Sequence, residues 1–203
     1  MVQNLLQGPC GPRGGREQRP AVMSMFHSNT HRLIDYWRSK ARLGHAPSRS
    51  LIDPSEFPRL APQVFIAGRV CSGIYPLRLT GAFVQALHQR ELRQQNLMSL
   101  FRQRDRMALQ STLEMARNRP EPLVVTVDAP APSGSVGMEI LLAPVQGDDG
   151  GPDRFLGLYQ PISLVARLAD EPPGEFEVRH MKTIAANEAP RLRLAAVDGR
   201  RIA

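Results

Sequence analysis

Three stretches of alternating apolar residues between Pro122 and Ile162 constrain the fold of this chain more than any other feature. Leu123, Val125, Val127 and Ala129 alternate with Val124, Thr126 and Asp128, the period of two expected of a strand with one buried face. The run Ala129-Pro130-Ala131-Pro132-Ser133-Gly134 interrupts it, and Val136, Met138, Ile140 and Leu142 then share a face of a second strand. A break rich in Gly and Asp from Gln146 to Asp153 precedes a third strand, Arg154 to Ile162. Strands joined by such short connections pair with their neighbours, so the three form an antiparallel meander. A meander needs a cover for its apolar face, and the upstream chain holds the elements to supply one.

Residues 1–24, with Gly8-Pro9-Cys10-Gly11-Pro12-Arg13-Gly14-Gly15, carry too little apolar surface to offset the entropy of ordering and are expected to be disordered. Met23 and Met25 stand just before the first periodic segment, which makes them alternative starts. A first helix is expected over about 31–43, capped by Asn29 or Thr30 and stopped by Gly44, with Leu33, Ile34, Trp37 and Ala41 on one arc. Asp53-Pro54-Ser55-Glu56 has the spacing of a capped helical turn. Val64 to Val70 and Ile74 to Thr80 read as a hairpin about Cys71-Ser72-Gly73, and Pro76 restricts the second strand to an edge or a bulge. A short helix over Ala82 to His88 and a longer one over about Leu100 to Asn118 lead into the meander.

A chain of 203 residues accommodates one domain with a core and extensions. The formal charge of +7 comes from arginines spread from end to end rather than from a patch, which weighs against nucleic acid as the partner. Cys10 and Cys71 form no metal spacing and no disulfide framework, and no apolar run reaches the roughly 20 residues of a membrane span. A cytoplasmic protein is the expectation.

The order of two strands, short helices, one longer helix and a three-stranded meander resembles that of PAS domains. Three segments carry the likeness further. Ile52-Asp53-Pro54-Ser55-Glu56-Phe57-Pro58-Arg59-Leu60 resembles the aspartate-proline segment of the PAS-like family widespread in alphaproteobacteria, small stand-alone PAS proteins formerly grouped as a domain of unknown function. Tyr75-Pro76-Leu77-Arg78-Leu79-Thr80-Gly81 is similar to its aromatic-x-x-Arg-Leu-x-Gly strand end, and Arg90-Glu91-Leu92 to the Arg-Glu-Leu that follows. Gln89 stands where that family commonly has glycine. The resemblance covers about Phe26 to Ile162. It implies an α+β fold with a five-stranded antiparallel sheet of order 2-1-5-4-3, helices over one face and an N-terminal flanking helix. The expected organisation is an extension over 1–24, a PAS-like domain over 25–165 and a tail, partly ordered at most, over 166–203. Leu192 to Val197 could extend within that tail as a strand or as a partner-docking segment.

The expected function is that of a non-catalytic sensory or regulatory module acting through a protein partner, a homodimer or a small ligand. Arg78, Trp37, Tyr75, Phe83 and His88 are the candidate ligand or partner residues. Arg78 is the most telling, as a cation that could meet an acidic ligand; by alternation it opposes Leu77 and Leu79. The Trp37 helix and the exposed sheet face are the expected partner surfaces. His88 falls where some PAS domains bind haem, but no other histidine supports it, and the surroundings of Cys71 are not those of a flavin-reactive thiol. Neither cofactor is expected. Asp148, Asp149 and Asp153 lack calcium-loop spacing, and no nucleophile-base set or phosphate loop is present, so neither a metal nor catalysis is expected. The alternatives are a basic nucleic-acid-binding module using Arg102, Arg104, Arg106, Arg117 and Arg119, or a haem or flavin sensor.

Overall fold

In a computed structural model, residues 25–42, 44–147, 151–168 and 171–185 are described, together with the pairs 196–197 and 200–201. Helix α1 spans Ser28–Lys40. Strands β1 (Val64–Gly68) and β2 (Leu77–Thr80) follow, then α2 (Ala82–His88) and α3 (Gln103–Asn118). The meander is β3 (Leu123–Ala131), β4 (Gly134–Gln146) and β5 (Pro152–Pro161), and β6 (Glu177–Thr183) closes the series. All the ladders are antiparallel, in the order β2-β1-β5-β4-β3-β6.

The five-strand order inferred from the resemblance is present, and a sixth strand is added. β6 lies in the stretch expected to be tail, and it pairs with the free edge of β3, Val125 opposite Met181. Burial of Phe176 beside Phe101 explains why this polar segment is held: the ring enters the core, and the strand follows it onto the sheet edge. Ala196–Val197 and Arg200–Arg201 form a separate short ladder. The 1–24 extension, Asp148, Asp149 and Leu192 lie outside the described residues.

Alternation assigns each strand residue to one of two cores. Leu123, Val125, Val127, Val136, Met138 and Ile140 face α2 and α3. Val124, Leu141, Ala143, Leu156 and Leu158 face α1 on the other side. The caps of α1 differ from expectation. His27 is its N-cap, with Nδ1 accepting from the Asn29 amide, and the helix ends at Ala41, before Gly44. Asp53 does cap its single turn, accepting from the Ser55 amide at 2.8 Å. Gln89 takes φ +48° at the end of α2, the left-handed conformation that glycine adopts without strain.

Candidate ligand cleft at the sheet edge

The cleft begins with a bulge. Pro76 has no amide to give to a ladder, and the regular strand starts only after it, at Leu77. Ile66 pairs with Leu79 but Ala67 pairs with Leu77, which leaves Arg78 as an extra residue between two facing pairs. Leu77 therefore enters the core under the helices, while Leu79 sits beside Ile66 on the α1 side, 54% exposed. Strict alternation had put Leu77 and Leu79 on one face; the bulge separates them. The Arg78 stem crosses Gly68, where an added Cβ would lie 2.9 Å from its Nε. Its Nη1 donates to Gln94 Oε1 at 2.8 Å.

The aspartate-proline segment covers this end of the sheet. It is held to α1 by Tyr36, whose hydroxyl accepts from the Asp53 amide at 2.8 Å, and by Lys40, which donates to Glu56 at 2.7 Å. Between segment and sheet lies a cleft of about 360 Å³. Ile52 and Pro54 form one wall, and Ile66, Leu79, Val145 and Leu156 the apolar floor. Arg49, Arg78 and Arg154 also line it, and among the described residues no carboxylate does. Arg154 keeps Asp153 alongside at 3.6 Å. The two motif stretches that are far apart in the chain, 52–60 and 75–81, thus meet on one hollow. Of its lining, only Arg78 was singled out from the sequence. Arg49, Arg154 and Leu156 are brought there by tertiary folding, with no local signal to mark them.

The other candidates lie elsewhere. Trp37, expected at a partner surface, is fully buried, and its indole Nε1 donates to the Pro144 carbonyl at 2.6 Å. The sheet face on that side, expected to be exposed, is covered by the same helix, whose own outer face, with Arg32, Asp35 and Ser39, is exposed. Tyr75 is also buried; its hydroxyl donates to Glu114 Oε1 at 2.6 Å, and burial together with that carboxylate pushes its pKa up to about 12. Glu114 also accepts from Arg69 at 2.8 Å and from Arg117 at 3.2 Å. Burial would raise the Glu114 pKa, but these donors outweigh it and hold the carboxylate below its ordinary range.

Phe83 packs half-buried against the core under the helices. His88 lies in that core, 4% exposed, its ring against Tyr159 at 5.9 Å and Phe176 at 5.5 Å. Its Nε2 has no hydrogen-bond partner among the described residues, and desolvation, with Arg90 nearby, lowers its pKa to about 4. Phe65, Tyr159, Phe176 and Phe101 continue the ring cluster, with successive centroids 5.3 to 5.8 Å apart. Gly157 opposite Phe65 is what admits this ring, because a Cβ there would overlap it.

Four of the five arginines of the nucleic-acid alternative are engaged with acids. Arg102 and Arg104 meet Glu177, Arg106 meets Glu175 at 2.7 Å, and Arg117 meets Glu114. Cys71 is exposed in the hairpin turn. Among the described residues, no cluster of His, Cys, Asp or Glu is suited to a metal ion, and no helix is long and apolar enough to cross a membrane.

An antiparallel sheet containing the order 2-1-5-4-3, with helices packed over one face, defines a protein of the PAS class. The family described as "PAS domain" matches residues 25–160, and the chain belongs to that family. Membership supports a sensory or regulatory role. No curated protein sequence matches the chain. Among solved structures it is similar to a point-substituted RsLOV, at 20% identity and a TM-score of 0.43, over 55% of this chain and 66% of that one. It is similar to the Rhodobacter sphaeroides LOV protein at 16% identity and a TM-score of 0.41, over 56% of this chain and 70% of that one. An RNA-binding light-oxygen-voltage receptor aligns at 16% identity and a TM-score of 0.42, over 63% of this chain and 38% of that one. The chain therefore spans just under two thirds of the first of these and little more than a third of the last.

Proposed function

We propose that this protein is a non-catalytic PAS-type regulatory module that works by binding a protein partner or a small ligand at its surface, without a chromophore between its helices and sheet. The packing of that interior carries the reading. Phe65 over Gly157, with Tyr159, His88, Phe176 and Phe101 in ring contact, packs the interior between helices and sheet with the chain's own side chains. Interiors packed to the density of organic crystals do not admit a cofactor-sized guest without rearrangement.

The test is an ultraviolet-visible spectrum and a native mass spectrum of protein purified from its own host. A spectrum without bands beyond the protein's own and a mass without haem or flavin are expected. A stoichiometric haem or flavin would overturn the reading.

A further inference from the structure

We propose that the cleft between the aspartate-proline segment and the β1–β2 edge binds a small amphipathic carboxylate, with the headgroup on Arg78 and the apolar body on Ile66 and Leu79. The proposal rests on the binding role argued above and names its ligand. Three observations carry it.

The cleft leaves apolar surface in solvent at the edge of a buried core. Leu156 is 1% exposed and Val145 3%, yet Leu79 beside them stands 54% in solvent. An apolar chain laid along Ile66 and Leu79 would cover that surface, and its removal from water is favourable.

The charge is uncompensated on the other side. Among the described residues the only partner of the Arg78 side chain is the neutral amide oxygen of Gln94, and the Arg49 side chain has neither hydrogen bond nor ion pair. A guanidinium presents two parallel N–H donors that match one carboxylate in a bidentate pair. Gly68 fixes where that fork lies, since any larger residue would displace the Arg78 stem.

The third observation is size. A cleft of about 360 Å³ sits at the small end of ligand pockets and holds the volume of about a dozen waters. It suits a single-headed acid of roughly that many non-hydrogen atoms.

Octanoate titrated into the full chain, followed by calorimetry and amide NMR, tests the proposal. Saturable one-to-one binding with a Kd below about 1 mM is expected, with shifts centred on Ile66, Leu79 and Leu156 and with octanamide at least tenfold weaker. Arg78→Gln should weaken octanoate roughly tenfold while leaving the remaining amide spectrum in place, because Arg78 is exposed. Gly68→Ala should weaken it too; if that variant fails to fold, Arg78→Gln decides alone. Equal affinity for octanamide, absence of saturation, shifts confined to the core around Phe176, or tenfold tighter binding of octyl phosphate would each overturn the proposal. An interior haem or flavin would sink the broader reading without altering this titration. A protein free of both that ignores octanoate would sink only the cleft.

Discussion

The two faces of the sheet are covered in different ways. On one face, α2 and α3 pack over Leu123, Val125 and Ile140, and aromatic rings fill the remaining space until that layer is closed. On the other, a single helix, α1, lays Leu33, Ile34 and Trp37 over Val124, Leu141 and Leu158. The far end of this second face falls instead to the aspartate-proline segment. That segment makes single turns rather than a helix; it buries Phe57 and Leu60 in the second core and leaves a cleft beside Leu79. One sheet therefore has a finished, ring-packed core on one side and, on the other, a buried core with a cleft left open at its β1–β2 end, where the proposed ligand would sit.

The largest expected effect tests whether α1 is integral to the second face. Trp37→Ala should cost roughly 3–5 kcal/mol in denaturant unfolding, from the cavity it leaves and the orphaned Pro144 carbonyl. Hydrogen exchange should then rise in α1 while β3 and β4 stay protected. A cost below about 1 kcal/mol would show α1 to be a detachable cover and would break the comparison.

Much of this layout was legible in sequence. Period-two patterning from Leu123 to Leu142 assigns each residue to its face, because a strand buried on both sides still keeps its large residues in register. β6 was not legible: Glu177 to Thr183 is mostly polar, and its partner strand lies some 50 residues upstream. The cleft was legible at Arg78 and in the two resembling segments, 52–60 and 75–81, but not as a hollow between them. A bulge changes the face of Leu79 without changing its residue type, and three arginines from three separate segments leave no spacing to read.

The next effect belongs to the finished face alone. His88 is neutral in the fold, with a pKa of about 4 against an ordinary 6.5, because burial disfavours its cation. A base with a depressed folded pKa takes up its proton in the unfolded chain first. The neutral form's contribution is therefore whole above about pH 6.5 and is lost as pH falls toward 4. At about 1.4 kcal/mol per pKa unit the loss comes to roughly 3 kcal/mol. Urea unfolding at intervals between pH 7.5 and 4 should give a steeper decline for the wild type than for His88→Leu. Parallel curves would mean that His88 is not buried in this way. Trp37→Ala, acting on the opposite face, should leave the difference unchanged.

The smallest effects compare two carboxylates, one clasping each layer. Glu114 holds Tyr75, Arg69 and Arg117 on the helix side, and its partners include two full positive charges. Glu139, 4% exposed, accepts from Thr30 Oγ1 at 2.5 Å and from the His27 amide at 3.0 Å, so it ties the start of α1 to β4 with neutral donors only. Hydrogen bonds to a charged group contribute about 2 kcal/mol, whereas an acid at a helix N-terminus gains about 1 kcal/mol from the macrodipole. Glu114→Gln should therefore cost about 2 kcal/mol and Glu139→Gln about 1, since glutamine retains an oxygen for Thr30. Salt separates them further. Raising ionic strength should shrink the Glu114→Gln penalty, because its arginines are partly solvated, and leave the Glu139→Gln penalty in place. The reverse dependence would mean that the α1 clasp, and not the helix-side one, rests on charge, and the second face would then be the one held by electrostatics.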